Sequence, residues 1–169
     1  MTKSTILQIQ DIPVSVVSLD DNDYICLTDM ARFKDSERTN YVIQNWMRSH
    51  QTIEFVGLWE QLHNPNFKGV EFDAFRKEAG LNSFSLTTQR WVTATNSIGI
   101  ISKSGRYGGT YAHKDIAFEF GSWLRPIFKL YLITEYQRLK EIESDSNKLE
   151  WNVPRILTKA NYLIQTDAI

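Results

Sequence analysis

The stretch that most narrows the fold is the N-terminal one. Residues 5–10, 12–19 and 24–27 are three short runs rich in Ile, Val and Leu, and Asp20-Asp21-Asn22-Asp23 separates the last two. Runs this short cannot carry the repeating stripe of a buried helix, and turn-forming residues between them predict a small antiparallel meander. From Thr28 onward the texture is helical until a second β-prone stretch near residue 98. The predicted class is therefore α+β.

Thr28 stands before Asp29-Met30-Ala31-Arg32-Phe33, an N-cap followed by an acid in the first turn, which predicts a short helix over 28–33. A second helix is predicted over 36–49. Its Val42, Ile43, Trp46 and Met47 recur on one buried stripe, which places Gln44, Asn45 and Arg48 together outside. A third helix spans 51–62 and ends at Asn64-Pro65-Asn66, and shorter ones are expected over 71–79, stopped by Gly80, and over 86–96. Residues 98–112 read as a β-hairpin around a glycine-rich basic tip. An amphipathic helix over 113–124 follows, and Pro126 restarts the chain as a helix to Leu139 with little polar surface. The polar, acidic run 141–147 reads as a linker before a last amphipathic helix over 154–164. The expected organisation is a domain over 1–140, then a linker and helix over 141–169 that begin a further region of a longer protein.

The 169 residues carry 19 basic and 20 acidic side chains, a net charge of −1, so a polybasic coat is excluded. The charge is nevertheless sorted. Up to Met30 the only base is Lys3, against Asp11, Asp20, Asp21, Asp23 and Asp29. Over 31–50 the bases Arg32, Lys34, Arg38 and Arg48 outweigh Asp35 and Glu37, and over 102–114 Lys103, Arg106 and Lys114 face no acid. Two local basic segments on a neutral chain make a small electrostatic footprint if the fold joins them.

Other classes find little support. No apolar run reaches the ~18–20 residues that span a bilayer, and residues 1–5 lack the apolar core of a signal peptide, so a soluble, cytoplasmic protein without a membrane partner is expected. Cys26, the single cysteine, excludes an intrachain disulfide and reads as a small buried residue. His50, His63 and His113 are far apart in sequence without metal-ligand spacing and read as solvated or capping side chains, so no metal or cofactor is expected. No serine lies in a nucleophile elbow, and no catalytic residue is predicted. The five tryptophans, each in a helical stripe, read as core rather than as a base-stacking platform.

The binding chemistry concentrates in two places. On the second helix, amides suit adenine and a guanidinium suits guanine, which gives the outer face of Gln44, Asn45 and Arg48 the chemistry of a recognition helix. The run 103–110 offers Lys103, Ser104, Arg106, Tyr107 and Thr110 among glycines that let backbone amides approach phosphates. It lacks the spacing of a nucleotide-binding phosphate loop.

Three segments together resemble the KilA-N family of DNA-binding domains found in bacteria, phages and large DNA viruses. They are Tyr24-Ile25-Cys26-Leu27-Thr28-Asp29-Met30-Ala31-Arg32-Phe33, then Val42-Ile43-Gln44-Asn45-Trp46-Met47-Arg48-Ser49, then the run from Gly105-Arg106-Tyr107-Gly108-Gly109-Thr110-Tyr111-Ala112-His113 to Trp123-Leu124-Arg125-Pro126-Ile127-Phe128. The likeness covers about 24–140. The family is similar in turn to the fungal APSES domain, a winged helix-turn-helix variant. By that resemblance 38–48, adding Arg38 and Asn40 to the candidate contacts, would be the recognition helix and 103–110 the wing, while the insert 51–96 is longer than in the fungal domain. The resemblance implies double-stranded DNA as partner, no enzymatic activity and a role in transcription regulation as a phage or mobile-element regulator. The extension after Leu139 lies outside the resemblance and is expected to hold a dimerisation or effector region, the former giving a homodimer through the C-terminal helices. The rival readings are a protein–protein interaction module and the targeting domain of a nuclease or other DNA-processing enzyme.

Overall fold

The computed structural model describes residues 3–103 and 108–167, with side chains up to residue 146. The expected meander is β1 (Lys3–Ile9), β2 (Ile12–Leu19) and β3 (Asn22–Cys26). Gln10 and Asp11 have φ of 48° and 68°, and Asp20 and Asp21 have 49° and 65°. Two consecutive left-handed residues make the hairpin turn whose twist matches that of paired strands, and Asp tolerates that region better than most side chains. The acidic turn therefore needs only two residues, and β3 starts at Asn22 rather than at 24. The Asp23 carboxylate is used inside the sheet, accepting from the Ser18 hydroxyl at 2.6 Å.

Five helices follow before the chain returns to the sheet: α1 (Leu27–Ala31), α2 (Thr39–Met47), α3 (His50–His63), α4 (Gly69–Glu78) and α5 (Thr88–Thr95). Then come β4 (Ile100–Lys103), β5 (Gly109–His113), α6 (Lys114–Leu124) and α7 (Pro126–Asp167). The sheet is antiparallel with order β1-β2-β3-β5-β4, and β5 lies on β3 with Ile25 opposite Ala112 and Cys26 opposite Tyr111. The second basic segment is thereby hung beside the strand that leads into the first one.

Two local expectations fail for identifiable reasons. Thr28 does not cap α1: Cys26 holds that position with no side-chain bond, and the Thr28 hydroxyl accepts from the Thr110 amide at 3.0 Å. Asp29, in the first turn of α1, accepts from the Ser15 amide at 2.9 Å and ties the helix to β2. The second helix begins at Thr39 rather than 36, because the Asp35 carboxylate accepts from the Glu37 and Arg38 amides at 3.1 Å and makes a turn of those residues.

Unit 1 of the chain, residues 1–132, holds the core. Leu27, Met30, Val42, Ile43, Trp46 and Met47 from α1 and α2 are buried, and Trp46 packs against Phe120 of α6 with ring centroids 4.9 Å apart and the ring planes tilted by 60°. The insert has its own aromatic nucleus, in which Phe67, Phe72 and Phe75 surround Trp91. α3 passes so close to Phe72 that a Cβ on Gly57 would sit 2.1 Å from the ring, so only glycine fits there. Gly80 ends the next stretch with φ of 87°.

The second unit is 133–169, to which α7 contributes. The break expected at 141–147 is absent, since the backbone is helical through it. Lys and Glu are good helix formers, and pairs such as Arg138–Glu135 and Lys140–Glu143, both at 3.0 Å, support one turn after another. The helix expected over 154–164 lies inside α7, with its side chains outside the described residues. Among the described residues no helix is long and apolar enough to cross a membrane.

Candidate nucleic-acid interface

On α2 the buried stripe of Val42, Ile43, Trp46 and Met47 leaves the remaining arc outward. Asn40 is exposed, while Gln44, Asn45 and Arg48 are half-buried rather than exposed as expected. The outer face also divides. Asn40 and Gln44 line one cleft, of about 200 Å³, together with Thr87, Thr88 and Gln89 at the start of α5 and with Ser102 and Thr110 of β4 and β5. Asn45 and Arg48 line a different depression with Ser49, Gly80, Leu81 and Trp123. The division arises because the loop after α4 reaches the end of α2: the Gly80 amide donates to the Arg48 carbonyl at 2.9 Å, and the Arg48 guanidinium donates to the Asn82 carbonyl at 3.0 Å.

Arg38 is the residue before α2, exposed, with its guanidinium 3.0 Å from the Asp35 carboxylate and 5.4 Å from the ring of Tyr41. Hydrogen bonds from the Glu37 and Arg38 amides, joined by the Arg38 charge, hold the Asp35 carboxyl below its ordinary pKa. Tyr41 is 55% exposed on the same helix, and no sequence signal separates an aromatic beside an apolar stripe from core.

At the hairpin, Lys103 is exposed at the end of β4 and its ammonium lies 5.5 Å from the ring of Tyr111. Thr110 is buried, with its hydroxyl 3.3 Å from that of Thr88, so it forms cleft floor rather than a protruding contact. Ser104, Arg106 and Tyr107 lie outside the described residues. The two basic segments therefore meet at the cleft through Asn40 and Gln44 on one side and Ser102 and Thr110 on the other.

The hairpin is positioned by a residue that sequence reasoning missed. Glu60 of α3 is fully buried, and its carboxylate accepts from the Ser97 hydroxyl at 2.5 Å, the Ile98 amide at 3.0 Å, the Gly99 amide at 2.6 Å and the Asn64 side chain at 2.9 Å. A carboxylate in an amphipathic helix reads as solvated. Only the donors of 97–99, which follow α5 in the chain, make it an internal anchor.

His63 and His113, distant in sequence, come together around Trp59, which stacks on His63 at 4.3 Å and lies 4.8 Å from His113. His113 does cap α6, its Nδ1 accepting from the Asp115 amide at 3.2 Å. Burial lowers its pKa. Burial also pushes the Asp115 carboxyl up, but the bond from the Trp59 indole and the charges of His113 and Lys114 outweigh it, leaving that pKa lowered. Among the described residues no cluster of His, Cys, Asp and Glu could hold a metal ion. Cys26 is buried, and burial pushes its thiol up to about 11.

No curated protein and no solved structure matches the chain. The family model of the KilA-N domain matches residues 7–142, from β1 into α7. Most of the chain lies within that match, including α2, the cleft and the hairpin strands. The chain thus belongs to the KilA-N domain family, a family of DNA-binding domains.

Proposed function

We propose that this domain binds double-stranded DNA as a winged helix-turn-helix, with residues 38–48 entering the major groove and the hairpin tip 103–110 acting as the wing. The observation that carries the reading is the shared cleft, in which the polar residues Asn40 and Gln44 of α2 face Ser102 and Thr110 at the root of the hairpin. Carboxamides in that position read base edges, while cations on the hairpin position the protein on phosphates. Asn40 and Gln44 are assigned to bases, Arg38 and Lys103 to the backbone, and Asn45 and Arg48 to the flank beside Trp123. Ser104, Arg106 and Tyr107 belong to the wing in this reading, and Thr110 supports it from below. A domain with these parts acts by occupying DNA, in keeping with a regulator encoded by a phage or mobile element. Nothing in the geometry adds support for a homodimer.

A salt titration tests the reading. Affinity for a duplex should fall steeply and linearly in log–log form as salt rises, because phosphate contacts release counterions, and sequences selected from a random duplex library should bind tighter than scrambled ones. A salt-independent affinity, or none for any duplex, would overturn it.

A further inference from the structure

The cleft has a third wall, built by the insert. Gln89, the second residue of α5, lines both the cleft shared by Asn40, Gln44 and Ser102 and the adjoining surface along α5. Its neighbours are engaged elsewhere. Thr87 accepts from the Arg90 amide at 3.1 Å, Thr88 meets Thr110, and the Arg90 guanidinium turns back to the Ser85 carbonyl at 3.3 Å and the ring of Phe75 at 5.2 Å. Gln89 is exposed, and its carboxamide has no hydrogen-bond partner among the described residues.

In a duplex, one sugar–phosphate strand separates each major groove from the next minor groove. A body that sends a helix into the first and a hairpin toward the second must let that strand pass between them. The cleft between α2 and the hairpin is where it would pass, and its lining is amide, hydroxyl and methyl without an ionised side chain. A carboxamide carries two N–H donors, and a bond from it to an ionised oxygen is stronger than one to a neutral acceptor.

Resting on the helix-and-hairpin reading above, we infer that Gln89 is a DNA-contacting residue that donates to the phosphodiester strand crossing between α2 and the β4–β5 hairpin. The insert then supplies a binding group as well as a core of its own. Such a contact fixes register on the duplex and carries no sequence information.

The test uses the whole chain on a selected duplex and on a set of duplexes, each with one phosphate replaced by a neutral methylphosphonate. Gln89→Ala should weaken binding about tenfold on the unmodified duplex, leave the preference for selected over scrambled sequence unchanged and leave the melting temperature unchanged. On the duplex neutralised at the contacted phosphate, wild type and Gln89→Ala should bind equally. Gln89→Lys should bind more tightly than wild type and steepen the salt slope by about one unit, a gain that misfolding cannot produce. If both variants match wild type in affinity and slope while Asn40→Ala loses sequence preference, this inference falls and the reading of α2 stands. If wild type itself binds no duplex, the reading falls and takes the inference with it.

Discussion

The two elements that face each other across the cleft differ in how far polar atoms hold them in place. α2 is seated by apolar burial, with Val42, Ile43, Trp46 and Met47 all at or below 3% exposure. The β4–β5 hairpin is seated at its root by polar atoms: Glu60 grips the 97–99 segment, the Tyr24 hydroxyl donates to the Ile98 carbonyl at 3.0 Å, and the Thr110 amide donates to Thr28. Apolar burial is roughly proportional to area and forgives small shifts. Buried hydrogen bonds are directional and costly to leave unmade. α2 is thus fixed by apolar bulk, while the hairpin adds directional polar anchors to the sheet pairing and the burial of Ile100 and Ala112, so damage to the two should differ in kind as well as in size.

The largest effect is expected at Glu60. Its removal in Glu60→Ala strands several buried donors, each worth about 1–3 kcal/mol when unsatisfied, so a loss of roughly 3–6 kcal/mol is expected in urea unfolding. DNA affinity per folded molecule should fall as well, because the hairpin root loses its anchor. Met47→Ala on the other wall should cost roughly 2–4 kcal/mol through a cavity. Its sequence preference per folded molecule should stay intact. Equal losses of affinity in the two folded variants would erase the distinction between the walls.

Smaller effects sharpen it. Lys103→Ala should lower the salt slope by about one unit with a stability change within about 0.5 kcal/mol, read by anisotropy titrations at several salt concentrations. An unchanged slope would place Lys103 away from phosphate. His113, next to the hairpin at the end of β5, resists protonation because burial disfavours the imidazolium; Lys114 and His63 push the same way, while Asp115 and Asp23 oppose them. Its folded pKa lies below the ordinary 6.5, so its contribution is fully present above that value. As pH falls below it the unfolded chain takes up the proton first, and stability is lost until the folded pKa is passed. The acid limb of stability should be shallower in His113→Asn, and an identical limb would remove His113 from the account.

The apolar wall was legible in the sequence and the polar wall was not. The period of Val42, Ile43, Trp46 and Met47 marks a helix and its buried side without reference to the rest of the chain. The Asp20–Asp21 turn and Gly80 announce themselves through local backbone chemistry. Glu60, His63 and Gln89 take their places from distant segments, Glu60 from 97–99, His63 from His113 and Gln89 from Asn40 and Gln44, so no local pattern distinguishes them from solvated side chains. Arg48 shows the same limit in reverse: the helical period placed it outside with Gln44, whereas the loop after Gly80 draws it toward Asn82. In α7 the polar composition of 141–147 resembles that of a linker, whereas the spacing of charges such as Lys140 and Glu143 supports a helix.

The most direct test of the central claim measures the ratio of affinities for a selected duplex and a scrambled one, at a single salt concentration, for wild type, Asn40→Ala and Gln44→Ala. If these amides read base edges, each substitution should reduce the discrimination by about 1–3 kcal/mol, with stability within about 0.5 kcal/mol of wild type. The ratio for both variants would then fall well below that of wild type. The same ratio for all three proteins would mean that α2 does not read DNA sequence across this cleft.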